Sequence, residues 1–156
     1  MPKITPFLWF DGNAEEAAKF YVSVFQPGKL GKISRYPEGA PAPAGSVMTV
    51  EFRLGGQNFV ALNGGPEFKF NEAVSFVVTC RTQREIDYYW RKLSAGGQEI
   101  QCGWLKDKYG VTWQIVPAVL MELMSSRDRA KAARVTRAMI QMVKLDIKRL
   151  KAAAKK

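Results

Sequence analysis

The sequence predicts an α+β fold in which two βαβββ modules are followed by a helical extension. Three observations predict it. The helix signals of the first half recur 69 residues later, so that Tyr89 in the second half corresponds to Phe20 in the first. This recurrence indicates an internal repeat. Short runs of β-forming residues flank both helices, and the residues from 118 onward are strongly amphipathic. A hydrophobic fraction of 47% fits a folded globular chain and excludes intrinsic disorder.

Both module helices are predicted to begin at a capping box, in which a short polar side chain and a glutamate three residues later satisfy free backbone N–H groups. Asn13 and Glu16 form the first such pair, and Thr82 and Glu85 form the second. Large apolar residues follow each pair at helical spacing. A Pro-Gly pair is expected to end the first helix, and a Gly-Gly pair the second.

Four strands are predicted in each module, and Gly55-Gly56 predicts a tight hairpin turn in the first. The predicted strands are 4–10, 32–36, 47–54 and 58–63 in the first module, and 73–80, 98–102, 104–106 and 111–116 in the second. These bounds predict one domain over residues 1–117, with modules at about 1–66 and 67–117, and an extension over 118–156.

The formal charge of +10 is concentrated in the extension. Residues 1–117 hold 13 basic and 11 acidic side chains, whereas residues 118–156 hold 11 and 3. Helices are predicted at 119–124 and 129–151, and one face of the longer helix is apolar, through Val135, Met139, Met142, Val143, Ile147 and Leu150. We expect this stripe to pack on the domain or on a second subunit. Docking to a membrane or to nucleic acid through the basic face is ranked behind it.

Several classes of protein are excluded or disfavoured by composition. The two cysteines, Cys80 and Cys102, are too few for a disulfide scaffold, and we expect both to be reduced in a cytoplasmic protein. No apolar run is long enough to cross a membrane. No glycine-rich loop follows a strand as a nucleotide-cofactor fold requires, so we expect neither such a cofactor nor methyl transfer.

Three segments, 8–17, 61–68 and 103–117, resemble the PhnB-like branch of the glyoxalase/bleomycin resistance (vicinal oxygen chelate) superfamily, a branch often labelled demethylubiquinone methyltransferase. Residues 134–144 also resemble the extension that many of these proteins carry. The resemblance implies the glyoxalase/bleomycin resistance/dihydroxybiphenyl dioxygenase fold, in which paired modules form a cupped mixed sheet. It also implies a homodimer.

The resemblance implies that metal-dependent relatives hold an ion with a His or Gln in the first strand and a Glu in the last strand of each module. The corresponding positions here are Pro6 (or Thr5), Ser75, Val60 (or Ala61) and Gln114. The chain has no histidine, and proline and valine side chains cannot bind a metal. We therefore expect no metal site and no other cofactor.

The resemblance implies that Gln114 faces the cup. From this position, the alternation of side chains along each strand predicts which other residues face the cup. The candidate ligand-binding residues are Leu8, Phe10, Ser75, Val77, Cys102, Trp104 and Gln114. A shift of the first strand by one residue would instead turn Thr5, Phe7 and Trp9 towards the cup. The alternative for Trp104 is a place in the core, and the alternative for Cys102 is a buried inert thiol.

The sequence therefore leaves three functions open. We expect a metal-free protein that binds a small hydrophobic or aromatic molecule. The first alternative is a metal-independent enzyme, for which Glu51 is a candidate acid or base, although a solvated strand position is the favoured explanation of Glu51. An interaction module acting through the basic extension ranks last. No catalytic residue is assigned.

Overall fold

The computed structural model, which describes residues 1–155, divides into two units, and the extension belongs to the second of them. The N-terminal unit ends at Phe70 and the C-terminal unit begins at Asn71. The elements of the N-terminal unit are β1 (Phe7–Phe10), α1 (Ala14–Val24), β2 (Gly28–Arg35), β3 (Val47–Leu54) and β4 (Gln57–Asn63). Those of the C-terminal unit are β5 (Phe76–Cys80), α2 (Gln83–Ser94), β6 (Gln98–Glu99), β7 (Trp104–Lys106), β8 (Thr112–Pro117), α3 (Ala118–Met124), α4 (Arg129–Ile140) and α5 (Ile147–Lys155).

The N-terminal unit is a four-stranded mixed sheet with α1 on one face. Its strand order is β1-β4-β3-β2, and β1 runs parallel to β4 while the other pairs are antiparallel. Alternate residues of β3, namely Val50, Phe52 and Leu54, are buried on the helix side. Tyr21 of α1 is fully buried and stacks on Phe52, so the core of this unit lies between α1 and β3.

The predicted capping box at the start of α1 is wrong, because Asn13 makes no side-chain cap hydrogen bond. The backbone N–H of Ala14 instead donates to Oδ1 of Asn63, at the far end of β4, over 2.9 Å. The Nδ2 group of Asn63 donates to the carbonyl of Val47 on β3. One side chain therefore joins the helix start to two strands of the sheet.

The first strand is turned over relative to its predicted orientation. Leu8 and Phe10 are buried on the face of the sheet that α1 covers. Phe7 lies on the opposite face and is 61% exposed. The cause is the connection to the helix, which has three residues from Phe10 to Ala14 but only two from Cys80 to Gln83. Because side chains alternate along a strand, one extra residue exchanges the two faces.

The C-terminal unit repeats the arrangement with strand order β5-β8-β7-β6. Its helix α2 begins at the predicted capping box of Thr82 and Glu85, and it buries Ile86, Trp90 and Leu93. The predicted strand 98–102 ends early, at Glu99, because Cys102 adopts a left-handed φ of 62° and turns the chain towards β7.

The extension packs within the C-terminal unit. Its stripe residues Val135, Met142 and Leu150 are buried with Leu120 and Leu145, which also belong to the extension, and Val116 of β8 packs against this cluster. Packing of the whole stripe on the domain or on a second subunit stays a prediction. Ile140 and Val143 remain 49% and 38% exposed. The predicted continuous helix over 129–151 is wrong, because α4 ends at Ile140 and α5 begins at Ile147.

The segment between α4 and α5 is bound to the module through its backbone. The carbonyls of Met142 and Val143 accept hydrogen bonds of 2.8 Å from the N–H groups of Cys102 and Gly103. The side chain of Gln83, at the start of α2, donates to the carbonyl of Leu145 and accepts from the N–H of Ile147. These bonds explain the break, because they use backbone groups that a continuous helix would pair internally.

We expect Asn63→Ala to lower the free energy of unfolding by about 2–3 kcal/mol, because it removes a helix cap and a cross-strand hydrogen bond together. Urea denaturation measures the change. Asn58→Ala, at an exposed position of the same strand, is the control and should cost less than about 0.5 kcal/mol. Equal effects of the two substitutions would contradict the role given to Asn63.

Candidate functional site

A cleft of about 500 Å³ lies on the face of the N-terminal sheet that α1 does not cover. Phe7, Val60 and Glu51 occupy one row across β1, β4 and β3, since Phe7 pairs with Val60 and Val60 with Glu51. The phenyl ring of Phe7 is 61% exposed, although a large apolar side chain is usually buried. The floor of the cleft is therefore apolar at β1 and β4 and carries a carboxylate at β3.

Gly31 leaves room for the Glu51 carboxylate. A Cβ atom added at Gly31 would lie 3.0 Å from Cβ and 3.4 Å from Oε2 of Glu51. The pairing of β2 with β3 is irregular between Leu30 and Ile33, which places Gly31 opposite Glu51 without regular pairing. Any larger residue at position 31 would enter the cleft beside the carboxylate.

Two cations and an amide form the next row of the cleft. Lys29 on β2 pairs with Arg53 on β3, which pairs with Asn58 on β4, and all three line the cleft. All three side chains are exposed. Glu51 makes no ion pair with any residue among those that the structure describes, so its carboxylate and the two cations are available to a ligand.

The uncovered face of the C-terminal sheet carries most of the predicted site residues of that module. Val77, Gln114 and Trp104 occupy one row across β5, β8 and β7. The amide of Gln114 donates to the hydroxyl of Ser75 over 2.8 Å. Val77 is 55% exposed and Trp104 is half-buried. This face therefore combines an apolar wall with one polar pair.

Three of the predicted site residues lie elsewhere. Leu8 and Phe10 are on the helix-covered face, for the reason given by the longer connection before α1, and Phe7 takes their place in the cleft together with Thr5. Cys102 lies in the turn before β7, where its backbone binds the extension. The prediction that Cys102 shares a strand face with Trp104 is therefore wrong, because Cys102 lies in neither β6 nor β7.

Trp9 follows the alternative register but is held at the edge of the sheet. Its indole N–H donates to the carbonyl of Gly65 over 2.8 Å, and its ring lies edge-on to Phe68. A Cβ atom at Gly64 would overlap the indole ring, which shows how closely the ring rests on the backbone. Trp9 therefore orders the segment after β4 rather than lining the cleft.

Among the residues of the N-terminal cleft that sequence reasoning missed are Lys29, Gly31, Arg53 and Asn58. The signal for Arg53 was present, because Glu51 and Arg53 alternate with the buried Val50 and Phe52. Lys29 and Gly31 were missed because β2 begins at Gly28 and not at the predicted residue 32. An irregular pairing such as that of β2 leaves no alternation to detect.

The side chains at the positions that the resemblance assigns to metal ligands do not fit a metal ion. Val60 has no donor atom, and Gln114 is hydrogen-bonded to Ser75. Within residues 1–155, no three His, Cys, Asp or Glu side chains come together as a ligand group. Both cysteines are free thiols. None of the helices formed by these residues is long and apolar enough to cross a membrane, and the expected cytoplasmic location stays a prediction.

Comparison with known proteins gives one family match. The family model for 3-demethylubiquinone-9 3-methyltransferase matches residues 2–116 of the chain. No curated protein sequence matches significantly.

Solved structures agree with this match. A PhnB protein from Bacillus cereus is 41% identical to this chain, with a TM-score of 0.68. The match covers 75% of this chain and 100% of the Bacillus cereus protein. A protein from Pseudomonas aeruginosa is 21% identical, with a TM-score of 0.62 and coverage of 75% and 98%. The fosfomycin resistance protein FosX from Mesorhizobium loti is 11% identical, with a TM-score of 0.58 and coverage of 80% and 98%. At these lower identities the last two establish the fold alone.

Burial raises the pKa of the Cys80 thiol to about 11, and the nearby charge of Glu85 adds to the effect. Alkylation requires the thiolate, so at pH 8 we expect Cys80 to react with iodoacetamide about 100-fold more slowly in the native protein than in urea. The neutral thiol stabilises the fold below its unfolded pKa, and that contribution is lost as the pH rises through about 11. Peptide mapping by mass spectrometry measures the modification. Equal rates in the native and unfolded protein would refute the assignment.

Proposed function

Because this chain belongs to the 3-demethylubiquinone-9 3-methyltransferase (PhnB-like) family of vicinal oxygen chelate proteins, we propose that it binds a small hydrophobic or aromatic molecule on the uncovered face of its sheets, without a metal ion. The name of the family describes a methyl transfer that the residues do not support. The turn from β1 to α1 contains a single glycine, Gly12, instead of a glycine-rich cofactor loop.

The observation that carries the proposal is the exposed ring of Phe7 in the cleft of about 500 Å³. Leaving a phenyl ring in water forgoes the roughly 1.5–3 kcal/mol that its burial would contribute. A ligand that covers Phe7 and Val60 would recover that free energy. Clefts of this size are typical of sites for small molecules, which are mostly apolar with a few polar groups that orient the ligand.

The polar side chains of the cleft limit which molecules fit. Glu51 accepts hydrogen bonds, whereas Lys29 and Arg53 donate them, so a ligand with an apolar ring and both donor and acceptor groups matches the lining. On the C-terminal sheet, Trp104 and Val77 offer a second apolar surface beside the Ser75–Gln114 pair. We propose that this surface of the C-terminal unit is a ligand-binding surface in its own right.

A metal-independent enzyme is the second candidate, and Glu51 is the observation that favours it. Its carboxylate lies in the cleft, makes no ion pair with the residues in range 1–155, and is given space by Gly31. A carboxylate so placed can act as a general base if a ligand places an acidic proton within hydrogen-bond distance. Conversion of a bound ligand that stops in Glu51→Gln would favour the enzyme over a binding protein.

We propose a homodimer, as the resemblance implies. Large apolar side chains are exposed in both units, including Phe68 (62%), Val74 (69%) and Met121 (65%), and pairing of subunits would cover such groups. Sedimentation equilibrium should give a dimer at low and at high salt, because apolar contact is not screened. A monomer under both conditions would contradict the proposal.

We expect purified, untagged protein to contain no stoichiometric Zn, Ni, Mn or Fe, because Val60 and the Ser75–Gln114 pair offer too few donors. Elemental analysis by mass spectrometry measures the content. About one equivalent of metal that disappears in Gln114→Ala would overturn the prediction.

Ligand binding is tested by screening small aromatic molecules with ligand-observed NMR on the full chain. We expect Phe7→Ala to weaken the binding of hits about tenfold, because it removes apolar contact worth roughly 1.5 kcal/mol or more. The stability of the free protein should hardly change, since Phe7 is 61% exposed.

Gly31→Val should abolish the same binding, because its side chain would fill the space beside Glu51. Lys32→Ala, on the same strand but outside the cleft, is the matched control and should bind normally. Hits that bind all three variants as they bind the original protein would mean that the cleft is not the site.

A further inference from the structure

A second cleft, of about 350 Å³, lies between α4 and α5 in the extension. Three arginines line it, Arg134 and Arg137 from α4 and Arg149 from α5. Ala152 and Ala153 form the rest of the lining, so no bulky side chain from α5 fills the space between the guanidinium groups. None of these residues belongs to the sheet faces described above.

Arg134 is held in place by α5. It is half-buried, and its Nε and Nη2 atoms donate to the carbonyls of Ala153 and Ala154 over 3.2 Å each. These carbonyls belong to the last turn of the helix, where the backbone lacks internal partners. A guanidinium group has five N–H donors, and the remaining donors of Arg134 have no acceptor among residues 1–155. The group is therefore fixed in position and still able to bind an anion.

Nothing in the described part of the chain neutralises the other two arginines. Arg137 and Arg149 are exposed and make no ion pair with residues 1–155. The two aspartates of the extension are not in the lining of the cleft. Asp128 accepts from the backbone N–H of Lys131 at the start of α4, and Asp146 accepts from the backbone N–H of Arg149 at the start of α5. Three like charges around one cleft repel each other, and a bound anion would relieve that repulsion.

We propose that this cleft binds the phosphate group of a small phosphate ester. A guanidinium group donates two parallel hydrogen bonds to phosphate, and a phosphate dianion can accept from several such groups at once. A carboxylate carries only one charge against three arginines. The cationic side chains meet in one compact cleft rather than along an extended track, which favours a small molecule over the backbone of a nucleic acid.

The proposal is tested by isothermal titration of the full chain with inorganic pyrophosphate and with phenyl phosphate at constant ionic strength. We expect saturable binding of both, and a loss of about tenfold or more in affinity in R137Q/R149Q, because each charged hydrogen bond to phosphate is lost with its guanidinium group. Arg134 is left unchanged in this variant because it also supports α5.

The matched control is K148Q/K151Q, which removes the same charge from exposed positions of α5 outside the cleft. Its affinity for pyrophosphate should stay within about twofold of the original protein, since screened charges at a distance contribute little. Equal losses in the two double variants, or no saturable binding to the original protein, would overturn the proposal. A further result would also overturn it: no binding of pyrophosphate, but binding of duplex DNA or anionic vesicles that is lost in R137Q/R149Q. The partner would then be a macromolecule that carries phosphate groups.

Discussion

The strict alternation of side chains along a strand is the constraint on which the rest of this structure depends. Once α1 packs on Val50, Phe52 and Leu54, the intervening Glu51 and Arg53 must face away from the helix. The burial that stabilises the unit therefore also places a carboxylate and a guanidinium group on the opposite face. The packing of the core therefore fixes which positions of β3 face the cleft.

The same constraint explains how far the sequence could be used. The order of elements, the bounds of β3 and β7, and the hairpin at Gly55-Gly56 follow from local patterns, and the structure has them. The capping box of α2 is also local and was predicted. The orientation of β1 was not, because it depends on a connection one residue longer than its counterpart, and the apolar run 7–10 shows no alternation of its own.

Other features that escaped prediction depend on contacts between residues distant in sequence. Asn63 caps a helix that begins 49 positions earlier, and no spacing rule identifies such a partner. The break between α4 and α5 depends on Gln83 and on the turn at Cys102, both far from it in the chain. The apolar periodicity of residues 129–151 is equally compatible with one helix or two. The residues of β2 that line the cleft could not be predicted, because the pairing of β2 with β3 is irregular near Gly31. Side chains around such an irregularity do not alternate regularly between the two faces of the sheet.

The attachment of the extension bears on how such a chain can diversify. The family match ends at residue 116, so the extension lies outside the matched part of the chain. The backbone carbonyls of Met142 and Val143 attach the extension by accepting hydrogen bonds from the module. These carbonyls are present whatever side chains the two positions carry. The module side is less tolerant, because a Cβ at Gly103 would lie 3.0 Å from the side chain of Leu145 and 2.8 Å from a backbone oxygen. The attachment therefore tolerates substitutions on the outer surface of the extension, including its arginine cleft, far better than a substitution of Gly103.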